Sequence, residues 1–397
     1  MNNKPTVYIL SDYRKGAADG LAEFNYQTVN LLKNEFNFNF VEFRKNEPLT
    51  YFAQEVVDGF PIHAFGIQGL SAIRVSPLFK NWLRKISSQH TLFHLHHIWN
   101  LRNYTLAKAL HQNNLPYIIT PHDSFVYSTA FRNNLPPLKR IYRNLFTSVF
   151  DKYVLDHAVF VHGISGQCPP CLSSITKTPV MVVTNQVNDM KLAFDISKIK
   201  PQICFIGRFN IQTKGIDLAL KGFALFKKGN PNTQNIVYKL TGPADAAASE
   251  TCKALCNELG LVEGQDVIFT GKIPVEERNQ NLTESKVYMQ LSRTEGFGLS
   301  IAQALTAYKP VIVSKQVPIQ DKIAKHNAGF VVSNPQEAAA ALATIFALSP
   351  EKYLEMALNA RRCYEQEFHP AVIKPQLINL YTKSLLHKSD KTKVVGV

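Results

Sequence analysis

From Val7 onward, short apolar runs alternate with longer stretches in which apolar side chains recur every three or four positions. The short runs read as buried strands and the longer stretches as amphipathic helices. In the first half, strands are predicted at Val7–Leu10, Asn39–Phe43, Ile62–Phe65, Leu92–Leu95, Tyr117–Ile119 and Ala158–Val161. Helical patterns such as Leu21–Leu32 and Tyr104–Leu110 lie between them, and Val180–Val183 closes the series. A second series opens with Ile203–Ile206 and the helix Ile216–Phe226. It continues with strands at Ile236–Leu240, Val267–Phe269, Val287–Leu291, Val311–Val313 and Phe330–Val332. Three helical patterns end it, Gln336–Leu348, Glu351–Phe368 and Ala371–Leu386, before a polar, basic tail. Strand–helix alternation predicts parallel sheets covered on both faces. The expectation is an α/β protein of two Rossmann-like doubly wound domains facing a cleft. One spans residues 1–190, joined by the C-terminal helix of about 371–390, and the other residues 191–370. Ligands of such sheets sit at the carboxyl ends of the strands.

A length of 397 residues exceeds what one core usually serves, which agrees with two domains. No run approaches eighteen apolar residues, so no membrane-spanning helix is expected. Val7–Leu10 is too short for a signal-peptide core, and the expectation is a cytoplasmic protein. The net charge of +14 predicts attraction to anions such as phosphorylated ligands or an acidic membrane surface. Split at Asn185, each half carries seven of these charges, so no basic tail explains the excess. Zinc-finger spacing and RNP-like aromatic patterns are absent, which argues against nucleic acid as a partner.

Six cysteines are too few for a disulfide scaffold. Cys168-Pro-Pro-Cys171 has the spacing of a redox or metal motif, but no further ligands converge on it, and reduced, mostly buried thiols are expected. In His94-Leu-His96-His97, strand alternation puts His94 and His96 on one face. No carboxylate or cysteine stands at ligand spacing, so no metal is expected and the histidines are read as buried or lining a cleft.

Three segments at strand ends of the second half carry the candidate chemistry. Gly207-Arg208 through Lys214-Gly215 joins a strand to a helix and offers two cations flanked by glycines. Two cations beside a helix start suit a diphosphate. Thr294-Glu295-Gly296-Phe297-Gly298-Leu299 follows a strand and starts a helix near Leu299. Free N–H groups there suit an anion, whereas the Glu295 carboxylate suits sugar hydroxyls. Phe269-Thr270-Gly271-Lys272-Ile273 is a third strand end, whose exposed backbone could pair with a flat ring edge.

Taken together, Gly207-Arg208, Lys214-Gly215, Glu295-Gly-Phe-Gly-Leu299, Lys309-Pro-Val-Ile-Val-Ser314 and Asn327-Ala-Gly-Phe-Val-Val332 resemble glycosyltransferase family 4. The resemblance is strong over roughly residues 200–335. It implies the GT-B fold and transfer of sugar from a nucleotide donor, usually with retention. It also implies that Arg208 and Lys214 hold the donor diphosphate and Glu295 the donor sugar's hydroxyls. The backbone from Gly296 to Leu299 would lie beside sugar and phosphate, with Gly207 at the same edge, and Lys272 and Ile273 would line the base pocket. The family usually has a second glutamate on the ribose, eight residues after the first; here that residue is Gln303. In the first half, the resemblance makes Gly16 and Gly20 the acceptor-side glycine loop and His122, in Pro121-His122-Asp123, a group near the reacting sugar. The implied acceptor is a glycan or lipid-linked saccharide in surface polysaccharide or glycoconjugate biosynthesis.

Breaking a glycosyl–phosphate bond leaves charge on the diphosphate, which something positive must stabilise. No Asp-x-Asp pair occurs in the sequence, so Arg208, Lys214 and a helix N-terminus are expected to do this without metal or other cofactor. Two other readings stand beside this one. A non-catalytic GT-B protein binding a nucleotide sugar or a partner chain is favoured by Gln303. A nicotinamide-dependent enzyme would need G-x-G-x-x-G after the first strand, and Arg14 to Gly20 lacks that spacing. Finally, the segment around Lys139-Arg140-Ile141-Tyr142-Arg143 mixes cations with apolar residues. It is read as a core-facing helix with a basic edge, or as a peripheral contact with the inner face of an anionic membrane.

Overall fold

The computed structural model describes residues 4–12, 20–67, 76–122 and 135–391. It divides into two compact units, residues 1–186 with 373–397, and residues 187–372. Among the described residues, no helix is long and apolar enough to cross a membrane.

The first unit holds β1 (Thr6–Leu10), α1 (Gly20–Leu32), β2 (Asn37–Lys45), β3 (Phe52–Val57), β4 (Phe60–Ile67), α2 (Pro77–Arg84) and β5 (Thr91–His96). It continues through α3 (Leu101–Gln112), β6 (Tyr117–Thr120), α4 (Pro137–Phe146), α5 (Lys152–Asp156), β7 (Val161–Gly163), α6 (Cys168–Leu172) and β8 (Val180–Val182). Its strands form a sheet in the order β3-β4-β2-β1-β5-β6-β7-β8. All neighbours are parallel except β3 and β4. Sequence patterning missed β3. Its side chains are mostly exposed, as suits an edge strand, so the apolar alternation that marks a buried face is weak. The turn into β4 is Asp58-Gly59, both with positive φ, a two-residue hairpin signature. Strand β7 begins at Val161, where Ala158–Val161 was predicted, because Ala158 closes the preceding helix by donating its N–H to the Leu155 carbonyl.

The second unit opens with β9 (Lys200–Ile206), α7 (Ile211–Lys214), α8 (Ile216–Gly229), β10 (Val237–Thr241), α9 (Ala246–Leu259) and β11 (Val267–Gly271). Next come α10 (Val275–Glu284), β12 (Ser285–Gln290), α11 (Leu299–Thr306), β13 (Val311–Ser314), α12 (Gln320–Lys325) and β14 (Gly329–Val332). Helices α13 (Pro335–Phe346) and α14 (Pro350–Glu367) complete it. The sheet is wholly parallel in the order β11-β10-β9-β12-β13-β14, the doubly wound dinucleotide-fold order. Its core joins Ile203, Phe205, Leu220, Phe223, Tyr238 and Met289 to Leu342 and Ile345 of α13.

Helix α15 (Pro370–Lys391) then returns to the first unit. Its Ile373, Leu377, Leu380 and Tyr381 are buried with Val7, Phe38, Phe40 and Leu92. Doubly wound sheets bind ligands where the winding reverses. Those points lie between β1 and β5 in one unit and between β9 and β12 in the other.

Candidate active site

At the reversal point of the second unit, two loops are tied together. After β9 the chain runs through Gly207, Arg208 and Phe209 to Asn210, whose side chain accepts from the Thr213 N–H at 3.1 Å and caps α7. Gly215 then takes a left-handed conformation, with φ +59°. A Cβ there would sit 1.9 Å from the Leu291 carbonyl oxygen, so only glycine lets this loop lie against the end of β12. The N–H groups of Arg293 and Thr294 donate to the Thr213 carbonyl at 2.8 and 3.3 Å. The Arg293 guanidinium forks onto both oxygens of Asp217 at 2.7 Å and donates to the Ile211 carbonyl at 3.0 Å.

These ties place the Lys214 ammonium 2.5 Å from Glu295 Oε1. Gln290 Nε2 and Ser292 Oγ also donate to Oε1, the latter at 3.0 Å. Gln290 is itself fixed, because its Oε1 accepts from the Tyr288 hydroxyl at 2.6 Å and from Ser300 Oγ at 3.1 Å. Burial pushes the Tyr288 phenol far above its ordinary value, so it stays a donor. The Glu295 side chain is 9 % exposed, and among the described residues its three hydrogen bonds all use Oε1. The carboxylate oxygen outside those bonds, Oε2, is an acceptor for hydroxyl donors.

Gly298, with φ +98°, caps the start of α11 three residues after Glu295. The first N–H groups of a helix have no partner within it, so this edge favours an anion. Phe297 was placed with the donor site through its backbone. Its ring is buried, 5.8 Å from Phe368. Gln303, half-buried, stands one turn below Leu299, and its side chain makes no hydrogen bond among the described residues. The neighbouring strand ends close through glycines. Gly207 N–H donates to the Thr241 carbonyl and Gly242 N–H to the Gly271 carbonyl, both at 2.9 Å. Arg208 and Lys272 are exposed at these ends, and Ile273 is half-buried. Lys309 lies at the other edge of the sheet, before β13. It is fully buried, donating to the Thr283 carbonyl at 2.7 Å, and burial pushes it down to about 8.

In the first unit, His122 follows β6 in a left-handed conformation, with φ 55°. Its Nε2 lies 3.0 Å from His96 Nδ1. His94 and His96 share one face of β5, their rings 4.2 Å apart. His94 bonds the Tyr381 hydroxyl at 2.9 Å and Thr120 Oγ1 at 2.7 Å, and Thr120 meets His162 Nδ1 at 2.9 Å. Burial, then mutual repulsion, holds His94, His96 and His122 well below the usual imidazole range. Burial pushes His162 down to about 4. The cluster is therefore neutral at pH 7, and each ring carries one N–H donor and one acceptor nitrogen. A cavity of about 260 Å³ adjoins it, lined by Asp12, Phe43, His96, His97, Arg102 and Asn103 among others. Among the described residues, His96 Nε2 and Arg102 Nε are buried without hydrogen-bond partners. Gly20 begins α1, whereas Gly16 and Asp123 lie outside the described residues. Among the described residues, no group of three metal-ligating side chains converges.

Sequence reasoning missed Asp217, Tyr288, Gln290, Ser292, Arg293 and His162. Gln290 carried a readable signal, as the polar residue within the predicted apolar run Val287–Leu291. Arg293 and Asp217 carried none, since their meeting depends on Gly215.

Residues 189–362 match the family model described as glycosyl transferases group 1, a span within the second unit. The chain is similar to trehalose synthase of Pyrococcus horikoshii, at 25 % identity over 231 residues, covering 56 % of this chain and 55 % of the relative. It thus spans about half the length of that relative. It is similar to GDP-mannose:cellobiosyl-diphosphopolyprenol alpha-mannosyltransferase of Xanthomonas oryzae pv. oryzae, at 24 % identity over 84 % of this chain and 83 % of the relative. Its fold superposes on sucrose-phosphate synthase from Thermosynechococcus elongatus with a TM-score of 0.71, covering 96 % of this chain and 99 % of that one, at 20 % identity. The fold is GT-B. The GT-B architecture gives each unit its own reversal point, and the Lys214–Glu295 pair sits at that of the second unit, within the matched region.

Proposed function

We propose that this protein is a retaining glycosyltransferase of family 4. It moves a sugar from a nucleotide-sugar donor to a glycan or lipid-linked saccharide in surface polysaccharide or glycoconjugate biosynthesis. The observation that carries the reading is Glu295, a nearly buried carboxylate fixed through one oxygen by Lys214, Gln290 and Ser292 at the start of α11. Its Oε2 accepts from hydroxyls of the donor sugar. Arg208 and Lys214 hold the diphosphate with the N–H groups from Gly296 to Leu299. Lys272 and Ile273 flank the base, with Gly207 at the same edge, and Gln303 meets the ribose. The glycosyl–oxygen bond breaks with its electron pair passing to the diphosphate, where cations and helix N–H groups stabilise the charge. The acceptor hydroxyl oxygen bonds to the same carbon, and its proton leaves to the departing phosphate oxygen. His122 stands on the acceptor side, with Gly16 and Gly20 in the acceptor-side loop.

The test has two stages. Thermal-shift screening against UDP, GDP, ADP and their sugars should find one nucleotide that stabilises the protein, by about 2.7 kcal/mol at a hundred times its Kd. Mass spectrometry should then show transfer from that nucleotide's sugar to saccharide acceptors in excess EDTA. Arg208→Ala and Lys214→Ala should each lower turnover about 10- to 100-fold, the value of one charge-assisted bond. Near-normal turnover in both variants would remove the diphosphate assignment. Activity lost in EDTA and restored by manganese would overturn metal independence. Binding without transfer to any acceptor would favour the non-catalytic reading that Gln303 supports.

A further inference from the structure

Among the described residues, the first unit presents a largely exposed apolar stripe, in which Tyr142 still meets the edge of Trp99 at 6.3 Å between ring centroids. In α4, Leu138, Ile141, Tyr142 and Leu145 are 82, 64, 61 and 62 % exposed, and Val149 on the next turn is exposed too. Their spacing of three, four, seven and eleven residues from Leu138 puts them on one face. Sequence patterning allowed this face to be the core side, and the structure places it in solvent. The fold holds the helix by another side. Phe146 is buried and stacks on Trp99, ring centroids 5.1 Å apart, and the Arg143 guanidinium lies 4.0 Å over the same indole. Lys139 and Arg140 are exposed beside the apolar face, and no acidic residue occurs from Pro136 to Phe150.

We infer that α4 is a docking helix for an anionic lipid surface. An exposed ten-residue helix with an apolar face and only basic charges suits the boundary between headgroups and acyl chains. Leu138, Ile141 and Leu145 enter the acyl region, Tyr142 sits at headgroup level, and Lys139 and Arg140 reach lipid phosphates. The complementarity extends to the whole chain, whose net charge is +14. A nucleic acid would meet the cations but gain nothing from four large apolar side chains. This contact is independent of sugar transfer.

Sedimentation of the full chain with vesicles tests it. Phosphatidylcholine vesicles containing about 30 % phosphatidylglycerol should bind the protein, and binding should fall at high salt. Vesicles of phosphatidylcholine alone should bind it far less. The triple variant L138S/I141S/L145S and the double variant K139E/R140E should each bind at least about tenfold more weakly. These side chains are exposed, so both variants should keep the wild-type melting temperature. Equal binding to neutral and anionic vesicles would overturn the inference, as would full binding by the triple variant. A wild-type dimer that the triple variant dissolves, without vesicle binding, would make the face a protein interface instead.

Discussion

At the scale of single residues, the site depends on how two side chains are committed. Among the described residues, Glu295 bonds through Oε1 alone, and Gln303 makes no side-chain hydrogen bond. In the proposed ribose-binding role, a carboxylate at 303 would accept from both ribose hydroxyls, whereas an amide accepts from one and donates to the other. Gln303→Glu should therefore tighten nucleotide binding by about 1 kcal/mol, roughly fivefold, measured by calorimetric titration. Weaker binding would show that the pocket is adapted to the amide. Lys214 and Glu295, singled out because glycines and charges at strand ends mark ligand edges in such sheets, do meet, whereas Arg208 stays exposed at its strand end. The Lys214–Glu295 pair was not legible as a pair, since 81 residues separate its members. The donors on Glu295 from Gln290 and Ser292 were equally hidden, because hydrogen bonds within a buried turn follow from its folded shape.

At the scale of elements, the decisive contact is that of the Gly207–Gly215 loop with the end of β12. Gly215→Ala adds a Cβ 1.9 Å from the Leu291 carbonyl oxygen at a positive φ. It should destabilise the second unit by about 2 kcal/mol or more and separate Lys214 from Glu295. Urea unfolding followed by far-UV circular dichroism, beside a transfer assay, checks this. A change within about 0.5 kcal/mol would show that the loop stands off β12 in solution. Most strands were legible because parallel strands buried on both faces are short continuous apolar runs. Edge strand β3 was not, since Phe52, though against Phe65, is half-exposed with Val56 and Val57, leaving no buried apolar face to detect. The pairing order of the strands was legible only as a class, because alternation predicts winding but not neighbours.

At the scale of the whole molecule, the two units should respond differently to acid. The first unit buries His94, His96 and His162 beside the half-buried His122, and among the described residues Thr120, Tyr381 and the Val183 carbonyl also bond to this cluster. All four are held below their ordinary value, His162 at about 4. Below pH 6.5 the unfolded chain takes up protons that the folded unit refuses. Stability is therefore complete above 6.5 and falls as pH drops toward the folded values. His162 alone, lowered from 6.5 to about 4, accounts for roughly 3 kcal/mol across that window. In the second unit, Glu367 loses charge stabilisation only at lower pH. Burial raises it, but bonds from Lys322, Lys325 and His326 outweigh that and hold it at about 2, so its contribution is lost as pH falls from 4.5. Both tryptophans of the chain, Trp82 and Trp99, belong to the first unit, so indole fluorescence reports that unit. Between pH 7 and 5, the urea midpoint seen by tryptophan fluorescence should fall more steeply than that seen by far-UV circular dichroism, which averages both units. A fluorescence midpoint that stays flat over this range would mean that the imidazoles are hydrated and titrate normally. Parallel falls by both probes would mean that α15, which runs from one unit into the other, makes them unfold together.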